Sequence, residues 1–255
     1  MIKTLLARLQ QRYRTISFPK TKPELPERFC GRPAIDISKC PTGCRLCIDL
    51  CPTDALKKEN GHLTVDLGRC LFCVQCARDC PTGAIKFSRD YRLAARSKND
   101  MVLSGSEINL AGALNKKIKS ILGRSLKLRQ VSAGGCNACE ADTNVLSTVV
   151  FDLGRFGIQF VASPRHADGL LITGPVTKNM RLALKKTYDA VPDPKIVIAV
   201  GACAISGGIY VDHPQINNGA DKIIPVDLYI PGCPPHPLTI LDGLLRLLGK
   251  IKQSI

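Results

Sequence analysis

The sequence contains no tryptophan, only 5% aromatic residues, and 21 acidic residues against 36 Lys and Arg. So few aromatic side chains argue against a base-stacking platform for nucleic acid. No apolar run reaches the roughly 18 residues that a membrane-spanning helix requires. The first residues, MIKTLLARLQQRYR, become charged again at Arg8, which leaves no apolar core for a secretion signal. We therefore expect a cytosolic chain.

The composition is otherwise that of a folded protein. Over 255 residues, 45% are hydrophobic and 22% charged, which excludes wholesale disorder and fits one or two domains. Two features are unusual, a formal charge of +15 and thirteen cysteines. The charge suggests nucleic acid, an anionic membrane surface or an acidic partner. The odd cysteine count, without a secretion signal, favours metal ligation over a disulfide framework.

The distribution of the cysteines predicts the domain organisation. Nine of them lie between Cys30 and Cys80, and the other four are spread over about a hundred later residues. Closely spaced cysteines are typical of a small module with little apolar core. Widely spaced cysteines are typical of a fold that is stable without them. We predict an N-terminal helix and extended arm (1–29), a two-cluster ferredoxin-like domain (30–90), a linker with a helix (91–125) and an α/β domain (126–255).

The N-terminal segment predicts a basic amphipathic helix within residues 1–17. Its apolar residues recur at helical spacing and are interspersed with cations: Ile2, Leu5, Leu6 and Leu9, with Lys3, Arg8, Arg12 and Arg14. Two interpretations remain open. The helix packs on its own domain, or it lies on a membrane surface or a membrane-embedded partner.

The later part of the chain predicts alternating strands and helices. Short apolar runs indicate strands at 126–131, 158–161, 170–173, 196–200 and 226–230, and helical stretches lie near 140–155, 177–190 and 237–249. Such alternation with few hairpins predicts an α/β fold with a mainly parallel sheet, here of the flavodoxin-like type.

Two internal repeats carry eight of the cysteines. The segment from Cys70 has the spacing C-x2-C-x2-C-x3-C-P, and the segment from Cys40 repeats it with one extra residue. This is the run of bacterial two-cluster ferredoxins, in which the fourth cysteine ligates the other cluster. The predicted ligand sets are Cys40, Cys44, Cys47 and Cys80 for one [4Fe–4S] cluster, and Cys51, Cys70, Cys73 and Cys76 for the second. Structural zinc would favour two separated C-x2-C pairs, and Cys30 is left over as a free or buried thiol.

The remaining four cysteines follow predicted strands. Cys136 and Cys139 lie in GGCNAC, Cys203 in GAC and Cys233 in PGCPP. Because open α/β sheets bind ligands at the carboxyl ends of their strands, these thiols are expected to converge there. They suit a third [4Fe–4S] cluster first and zinc second. Burial of these cysteines as small hydrophobic residues remains the alternative.

Longer motifs carry a family resemblance. The C-terminal part resembles the small subunit shared by respiratory complex I and membrane-bound, energy-converting [NiFe] hydrogenases. The motifs that carry this resemblance are GGCNACE, RFGI, SPRHADGLLITGPVT, VGACAISGGIY and VDLYIPGCPPHP. FCGRPAI and SRDYRLA resemble the ferredoxin-like subunit of the same complexes, so the chain looks like a fusion of the two. The C-x2-C spacing at Cys136 is similar to that of hydrogenases, especially formate hydrogenlyase, whereas complex I subunits carry adjacent cysteines there.

The resemblance implies roles for further residues. Cys136, Cys139, Cys203 and Cys233 would bind the cluster closest to the active site. Four further residues would face the large subunit: Glu140, Asp142, Arg165 and His166. The family usually has a glutamate where this chain has Asp142. Glu140 compensates for it or is an ordinary helix-start carboxylate, and a surface salt bridge or surface histidine is the alternative for Arg165 and His166. His62, His213 and His236 are assigned no chemistry.

Together these features predict a non-catalytic electron-transfer subunit with three [4Fe–4S] clusters. It would relay electrons between a redox donor and the large subunit of a membrane-associated group 4 [NiFe] hydrogenase. A complex I-like quinone-reducing complex, or a hydrogenase-related complex without nickel, is the alternative. A basic nucleic-acid-binding protein with structural clusters is the competing class, but three clusters lower the charge to about +9. The remaining charge fits acidic partner subunits or a membrane surface better than nucleic acid.

Overall fold

The computed structural model describes residues 2–59, 62–105, 107–114 and 125–251. Its helices are α1 (Ile2–Gln11), α2 (Leu46–Asp49), α3 (Gln75–Arg78), α4 (Ala138–Val145), α5 (Lys178–Asp189), α6 (Ala202–Ser206) and α7 (Pro237–Leu247). Its strands are β1 (Pro33–Ile35), β2 (Leu56–Glu59), β3 (His62–Asp66), β4 (Ile85–Phe87), β5 (Val102–Leu103), β6 (Leu126–Ser132), β7 (Ile158–Phe160), β8 (Gly169–Thr173), β9 (Ile196–Val200) and β10 (Leu228–Ile230).

The C-terminal domain is an open, fully parallel sheet. Its five strands lie in the order β10-β9-β8-β6-β7, which is the flavodoxin-like order of a doubly wound fold. Every residue of β8 and β9 is buried, as expected for strands covered on both faces. The five predicted strands and the α/β class are confirmed, with boundaries that differ by at most two residues.

Two apolar layers cover this sheet. On one face α7 packs with alternate strand residues such as Leu171 and Ile198. On the other face Leu184 of α5 packs with Leu170 and Val197. Because successive strand residues point to opposite faces, one buried strand contributes to both layers.

The N-terminal module has two small antiparallel sheets, β1-β4 and β2-β3-β5. Its apolar cluster does not end at the domain boundary, since Leu67, Met101 and Leu103 pack with Ile205 and Tyr229 of the α/β domain. Polar contacts join the same surfaces: Ser206 Oγ donates to the Gly68 carbonyl at 2.8 Å, and Lys98 Nζ lies 2.8 Å from Asp221 Oδ1. The two modules therefore share part of one core.

Helix α1 is confirmed but is shorter than predicted, and Arg12, which follows it, has a positive φ of 52°. None of its residues is buried. The arm after the helix is attached to the α/β domain, where Ile16 N–H donates to the Val150 carbonyl at 3.0 Å and the Thr15 hydroxyl to the Val149 carbonyl.

The predicted linker helix is not formed over residues 107–114, which have no regular secondary structure. Ala111 and Leu114 instead donate backbone hydrogen bonds to the carbonyls of Ala94 and Leu247. The rest of the predicted helix lies outside the described residues. Among those that are described, no helix is both long and apolar enough to cross a bilayer.

Candidate iron–sulfur sites

The first set of cysteines lines one apolar cavity. Cys40, Cys44, Cys47 and Cys80 border it together with Ile85 and other apolar side chains. Burial raises the pKa of the Cys47 thiol, and the other three thiols of the set raise it further. Thiols that disfavour one another's ionisation in this way have the charge pattern of a site built for a positively charged metal centre.

The second set lines another apolar cavity. Cys51, Cys70, Cys73 and Cys76 border it. Burial raises the pKa of Cys70 to about 12 and that of Cys76 to about 11, and the neighbouring thiols of the set add to both shifts. Phe72, between two of these cysteines, has a positive φ of 54°. Its N–H donates to Cys70 Sγ at 3.3 Å, so this loop folds back toward its own thiol.

The residues that follow the last cysteine of each repeat form the same local structure twice. After the last cysteine of each repeat, the N–H of the residue four positions later donates to its Sγ at 3.3 Å, from Ala55 to Cys51 and from Ala84 to Cys80. Burial by itself would raise the pKa of Cys80. The Thr82 hydroxyl and backbone N–H groups outweigh burial and lower this pKa to about 7. The repeated C-P-T-x-A sequence thus supplies a backbone hydrogen-bond donor to the last cysteine sulfur of each repeat.

The third set lies at the carboxyl ends of the parallel strands. Cys136 lies between β6 and α4, and Cys139 is in α4. Cys203 is in α6 after β9, and Cys233 follows β10. Burial raises the pKa of Cys139, and Cys203, Cys233 and Cys136 are all close enough to raise it further. Cys136 and Cys233 are exposed, so the set opens to the surface.

Two glycines allow the thiols of this set their positions. A Cβ on Gly201, whose φ is +89°, would lie 2.6 Å from Cys139 Sγ. A Cβ on Gly208 would lie 2.7 Å from Cys203 Sγ. Both distances are shorter than van der Waals contact, so only glycine leaves room for these sulfurs.

Glu140 is buried inside the chain. It is 6% exposed, and its Oε1 accepts hydrogen bonds from Ser132 Oγ at 2.6 Å and Thr173 Oγ1 at 2.7 Å. It therefore ties the ends of β6 and β8 to α4. Asp142 is half-buried, and burial raises its pKa. Asp142 borders a cavity that also contains Cys30, Cys233 and His236.

Arg165 and His166 are not brought together with the cysteines. They are exposed on a 3-10 turn, Pro164–His166, directly before Asp168. Asp168 N–H donates to the Lys127 carbonyl at 2.7 Å, which places this turn near the start of β6, at the opposite end from Cys136. Within the described residues neither side chain has an ion-pair or hydrogen-bond partner. That they face a large subunit stays a prediction.

Sequence reasoning missed a structural role for His236. Its Nδ1 accepts a hydrogen bond from Leu238 N–H at 3.1 Å and caps α7, and its ring meets Phe29 edge-on. Burial lowers its pKa, which keeps the nitrogen an acceptor. The His-Pro pair just before the apolar run was the available signal, because proline is common at the first helical position. Cys30 belongs to none of the three sets, and its thiol donates to the Arg28 carbonyl at 3.4 Å.

The three sets follow one another through the molecule. Helix α2, which contains Cys47, packs against α3, which contains Cys76, and Cys47 adds to the burial that raises the pKa of Cys76. Cys73 of the second set likewise adds to the burial that raises the pKa of Cys233 in the third. Phe72 and Cys233 border the same cavity. The second set therefore lies between the first and the third.

Comparison with known proteins gives two family matches. The family described as "NADH ubiquinone oxidoreductase, 20 Kd subunit" matches residues 136–247, and the "4Fe-4S dicluster domain" matches residues 32–96. Together they contain all the predicted ligands.

Individual relatives divide between hydrogenases and quinone-reducing complexes. Formate hydrogenlyase subunit 7 of Escherichia coli is 46% identical over 61% of this chain, which spans 59% of that protein. A probable membrane-bound hydrogenase subunit, mbhJ, of Pyrococcus furiosus is 44% identical over 56% of this chain and 87% of its own length. An NADH-quinone oxidoreductase subunit of Citrifermentans bemidjiense is 48% identical over 47% of this chain and 70% of its own length.

Three findings indicate the same family: the parallel sheet with cysteines at its carboxyl edge, the repeated ferredoxin motifs and these relatives. The chain belongs to the family of the 20 kDa subunit of NADH ubiquinone oxidoreductase, joined here to an N-terminal 4Fe–4S dicluster domain.

Proposed function

We propose that this protein is an electron-transfer subunit with three [4Fe–4S] clusters. It relays electrons between a redox donor and the catalytic large subunit of a membrane-associated group 4 [NiFe] hydrogenase of the formate hydrogenlyase type. The chain supplies no catalytic residue itself. The observation that carries the proposal is the order of the three thiol sets, in which α2 of the first set packs on α3 of the second, and Phe72 of the second set shares a cavity with Cys233 of the third.

The residues of each set fit a cluster. Each set offers four thiols, in a cavity or at a glycine-lined sheet edge. No three His, Cys, Asp or Glu side chains in the described part of the chain are grouped to hold a single metal ion. A cubane does not need such a group, since its four irons lie at separate corners and each takes one thiolate. The proposed ligands are Cys40, Cys44, Cys47 and Cys80; Cys51, Cys70, Cys73 and Cys76; and Cys136, Cys139, Cys203 and Cys233.

A bound [4Fe–4S] cluster supplies reversible one-electron storage. The chain sets the conditions under which it does so. The N–H groups of Ala55, Phe72 and Ala84 donate to ligand sulfurs and so stabilise negative charge on them. Apolar side chains such as Ile85 and Phe87 keep water out of the second cavity. Different hydrogen bonding and exposure among the three sets predict three different potentials.

The hydrogenase type is favoured over the complex I type by one local feature. Cys136 and Cys139 are separated by two residues, as the hydrogenase resemblance requires, and two relatives are named as subunits of formate hydrogenlyase and of a membrane-bound hydrogenase. A complex I-like quinone-reducing complex, or a hydrogenase-related complex without nickel, is the second candidate, because another relative is named as an NADH-quinone oxidoreductase subunit. Nickel in the co-purified large subunit, with two C-x2-C pairs in its sequence, supports the first candidate. Bound quinone without nickel supports the second.

Iron and labile sulfide analysis of the anaerobically purified chain tests the three clusters. We expect about twelve of each per chain for the wild type and about eight for Cys203→Ser, with one fewer cubane signal in electron paramagnetic resonance of the reduced protein. Cys30→Ser is the matched control and should retain about twelve. A wild-type value near eight would exclude the third cluster.

A contact with an anionic membrane surface is part of the proposal. Helix α1 exposes Ile2, Leu5, Leu6 and Leu9, each more than half accessible. The helix has no acidic residue, and Val149 and Val150, to which the following arm is attached, are also exposed. A basic helix with an uncovered apolar face suits the interface of an anionic bilayer. We place the protein peripherally on the cytoplasmic side, among further subunits of a membrane complex and without nucleic acid as a partner.

A further inference from the structure

A cavity of about 520 Å³ lies between the N-terminal arm, the segment after β4 and helix α7. These three parts of the chain contribute its charged lining: Lys22, Arg89, Asp90, Arg92, Asp242 and Arg246. We refer to it as the arginine cavity. Four cations against two carboxylates give this lining a net charge of +2, and none of the proposed cluster ligands borders it.

Arg246 is the residue that points to a ligand. Its side chain is 2% exposed, and its Nε donates to Asp242 Oδ2 at 2.6 Å. Among the described residues its buried Nη1 has no hydrogen-bond partner. A guanidinium has five N–H donors, and a buried donor without an acceptor is costly. Arg246 borders the cavity, so an acceptor bound there would lie beside its positive charge.

The other cations surround the same space from different directions. Lys22 is exposed on the arm, and Arg89 donates to the backbone carbonyls of Leu25 and Glu27, which do not cancel its charge. Arg92 forms a salt bridge with Asp90 at 2.7 Å. An acceptor bound here therefore meets positive charge on the arm, on the segment after β4 and on α7.

The apolar part of the lining narrows the choice of ligand. Phe18, Pro19 and Ile251 border the cavity, and Phe18 packs edge-on against Tyr91. The arm that supplies Phe18 and Lys22 begins at the end of α1. A tetrahedral oxyanion can accept from cations on several sides at once, and an apolar chain attached to it would lie against this rim.

We propose that the arginine cavity binds a phosphate group, held by Arg246, Lys22 and Arg92. The source is a free phosphate or the head group of an anionic phospholipid. The inference goes beyond electron relay, and only its lipid source depends on the membrane contact proposed above.

Calorimetric titration of the cluster-loaded full chain with inorganic phosphate tests the site. We expect one phosphate per chain, with Lys22→Gln weakening the affinity about tenfold through the loss of one charged contact. Lys20→Gln is the matched control in the same turn and should bind as the wild type does. The double variant Asp242→Leu with Arg246→Met removes the guanidinium without leaving a buried charge. It should lose phosphate binding, and its cluster absorbance reports whether it has folded.

Vesicles distinguish the two sources. If phosphatidylglycerol vesicles displace inorganic phosphate and Lys22→Gln prevents this, the head group is the source. If they do not displace it, the source is free phosphate. Leu5→Gln with Leu9→Gln should abolish vesicle binding and leave inorganic phosphate binding intact, which separates failure of the helix from failure of the site. The proposal is overturned if the wild type shows neither saturable phosphate binding nor Lys22-dependent vesicle binding, or if an oligoglutamate peptide binds there and phosphate does not.

Discussion

At the scale of single residues, space around sulfur decides where glycine is required. Gly201 combines a positive φ of +89° with the sulfur of Cys139 only 2.6 Å from the point where a Cβ would lie. By contrast Gly105 has a positive φ of +143° and nothing within 4 Å of its Cβ position. Comparing the two glycines therefore distinguishes backbone strain, which a side chain would cause at both positions, from steric exclusion of a cysteine sulfur, which it would cause only at Gly201.

We expect Gly201→Ala to prevent assembly at the third thiol set. The added methyl group would displace Cys139 Sγ, so iron should fall from about twelve to about eight per chain. Gly105→Ala, the control, carries backbone strain alone and should retain about twelve. Equal iron in the two variants would contradict a steric role for Gly201.

Asp90 joins the segment after β4 to Arg32, the residue before β1. Its carboxylate accepts hydrogen bonds from the backbone N–H and guanidinium of Arg92, and Arg32 lies 3.1 Å away. Burial would raise its pKa, but these donors and charges outweigh burial and hold it below its ordinary value. A depressed folded pKa stabilises the protein above the unfolded value of about 3.9, and this stabilisation is lost as the pH falls through the folded value.

We expect Asp90→Asn to lower the free energy of unfolding by about 1.5–3 kcal/mol at pH 7. The difference from wild type should be the same at pH 5, because both pH values lie above the range in which Asp90 titrates. Thermal unfolding followed by circular dichroism at the two pH values measures it. Asp49→Asn, in an exposed pair with Arg45, is the control and should change little. A difference that shrinks between pH 7 and pH 5 would point to another group.

At the scale of elements, α1 differs from the other long helices. Helix α7 buries all eleven of its residues, whereas α1 buries none. Both carry an apolar face, but only that of α7 is covered by the sheet. An apolar face of this kind, flanked by cations, predicts an external surface for α1.

Leu5→Gln with Leu9→Gln should therefore release the protein from anionic vesicles. Removing two exposed leucines costs about 3 kcal/mol or more of apolar burial in the interface, a loss of at least about a hundredfold in partitioning. Sedimentation with phosphatidylglycerol vesicles measures it, with phosphatidylcholine vesicles as the comparison. Leu182→Gln, an exposed leucine of α5, is the matched control. Unchanged sedimentation of the double variant would contradict a membrane contact through α1.

At the scale of the whole molecule, the two modules are joined by packing as well as by chain connectivity. Met101 is fully buried in the apolar cluster that includes Leu67 from one module and Tyr229 from the other. Ala95 pairs with Tyr229 as an antiparallel bridge at the same place. A shared core of this kind would hold the second and third thiol sets at a constant separation, as the proposed electron relay requires.

Met101→Ala should destabilise both modules together, by about 2–5 kcal/mol. Hydrogen exchange should become faster in β3 and in β10 alike, since the cavity opens in a core that both share. Val102→Ala, at a neighbouring side chain that is 45% exposed, should have little effect. Faster exchange in β3 alone would show that the modules unfold independently.

The sequence by itself determined the features that depend on spacing along the chain. The two C-x2-C-x2-C-x3-C-P type repeats predict eight ligands because closely spaced thiolates on a short loop can wrap one face of a cluster. The five strands followed from short apolar runs, most clearly in β8, β9 and β10, which are buried throughout. The position of Cys136, Cys203 and Cys233 after strands was likewise a local property, and parallel strands bring their carboxyl ends to one edge.

Only the tertiary structure decided what depends on residues far apart in the chain. Phe72 of the second thiol set and Cys233 of the third border one cavity although they lie far apart in the chain, and no periodicity encodes this proximity. Glu140 was expected near a partner, but its burial follows from hydroxyl groups on two other strands. The unpartnered Nη1 of Arg246, the shared core around Met101 and the uncovered face of α1, all within the described residues, have the same origin. Each of these features depends on which surfaces meet when the layers pack, and the local sequence does not determine those contacts.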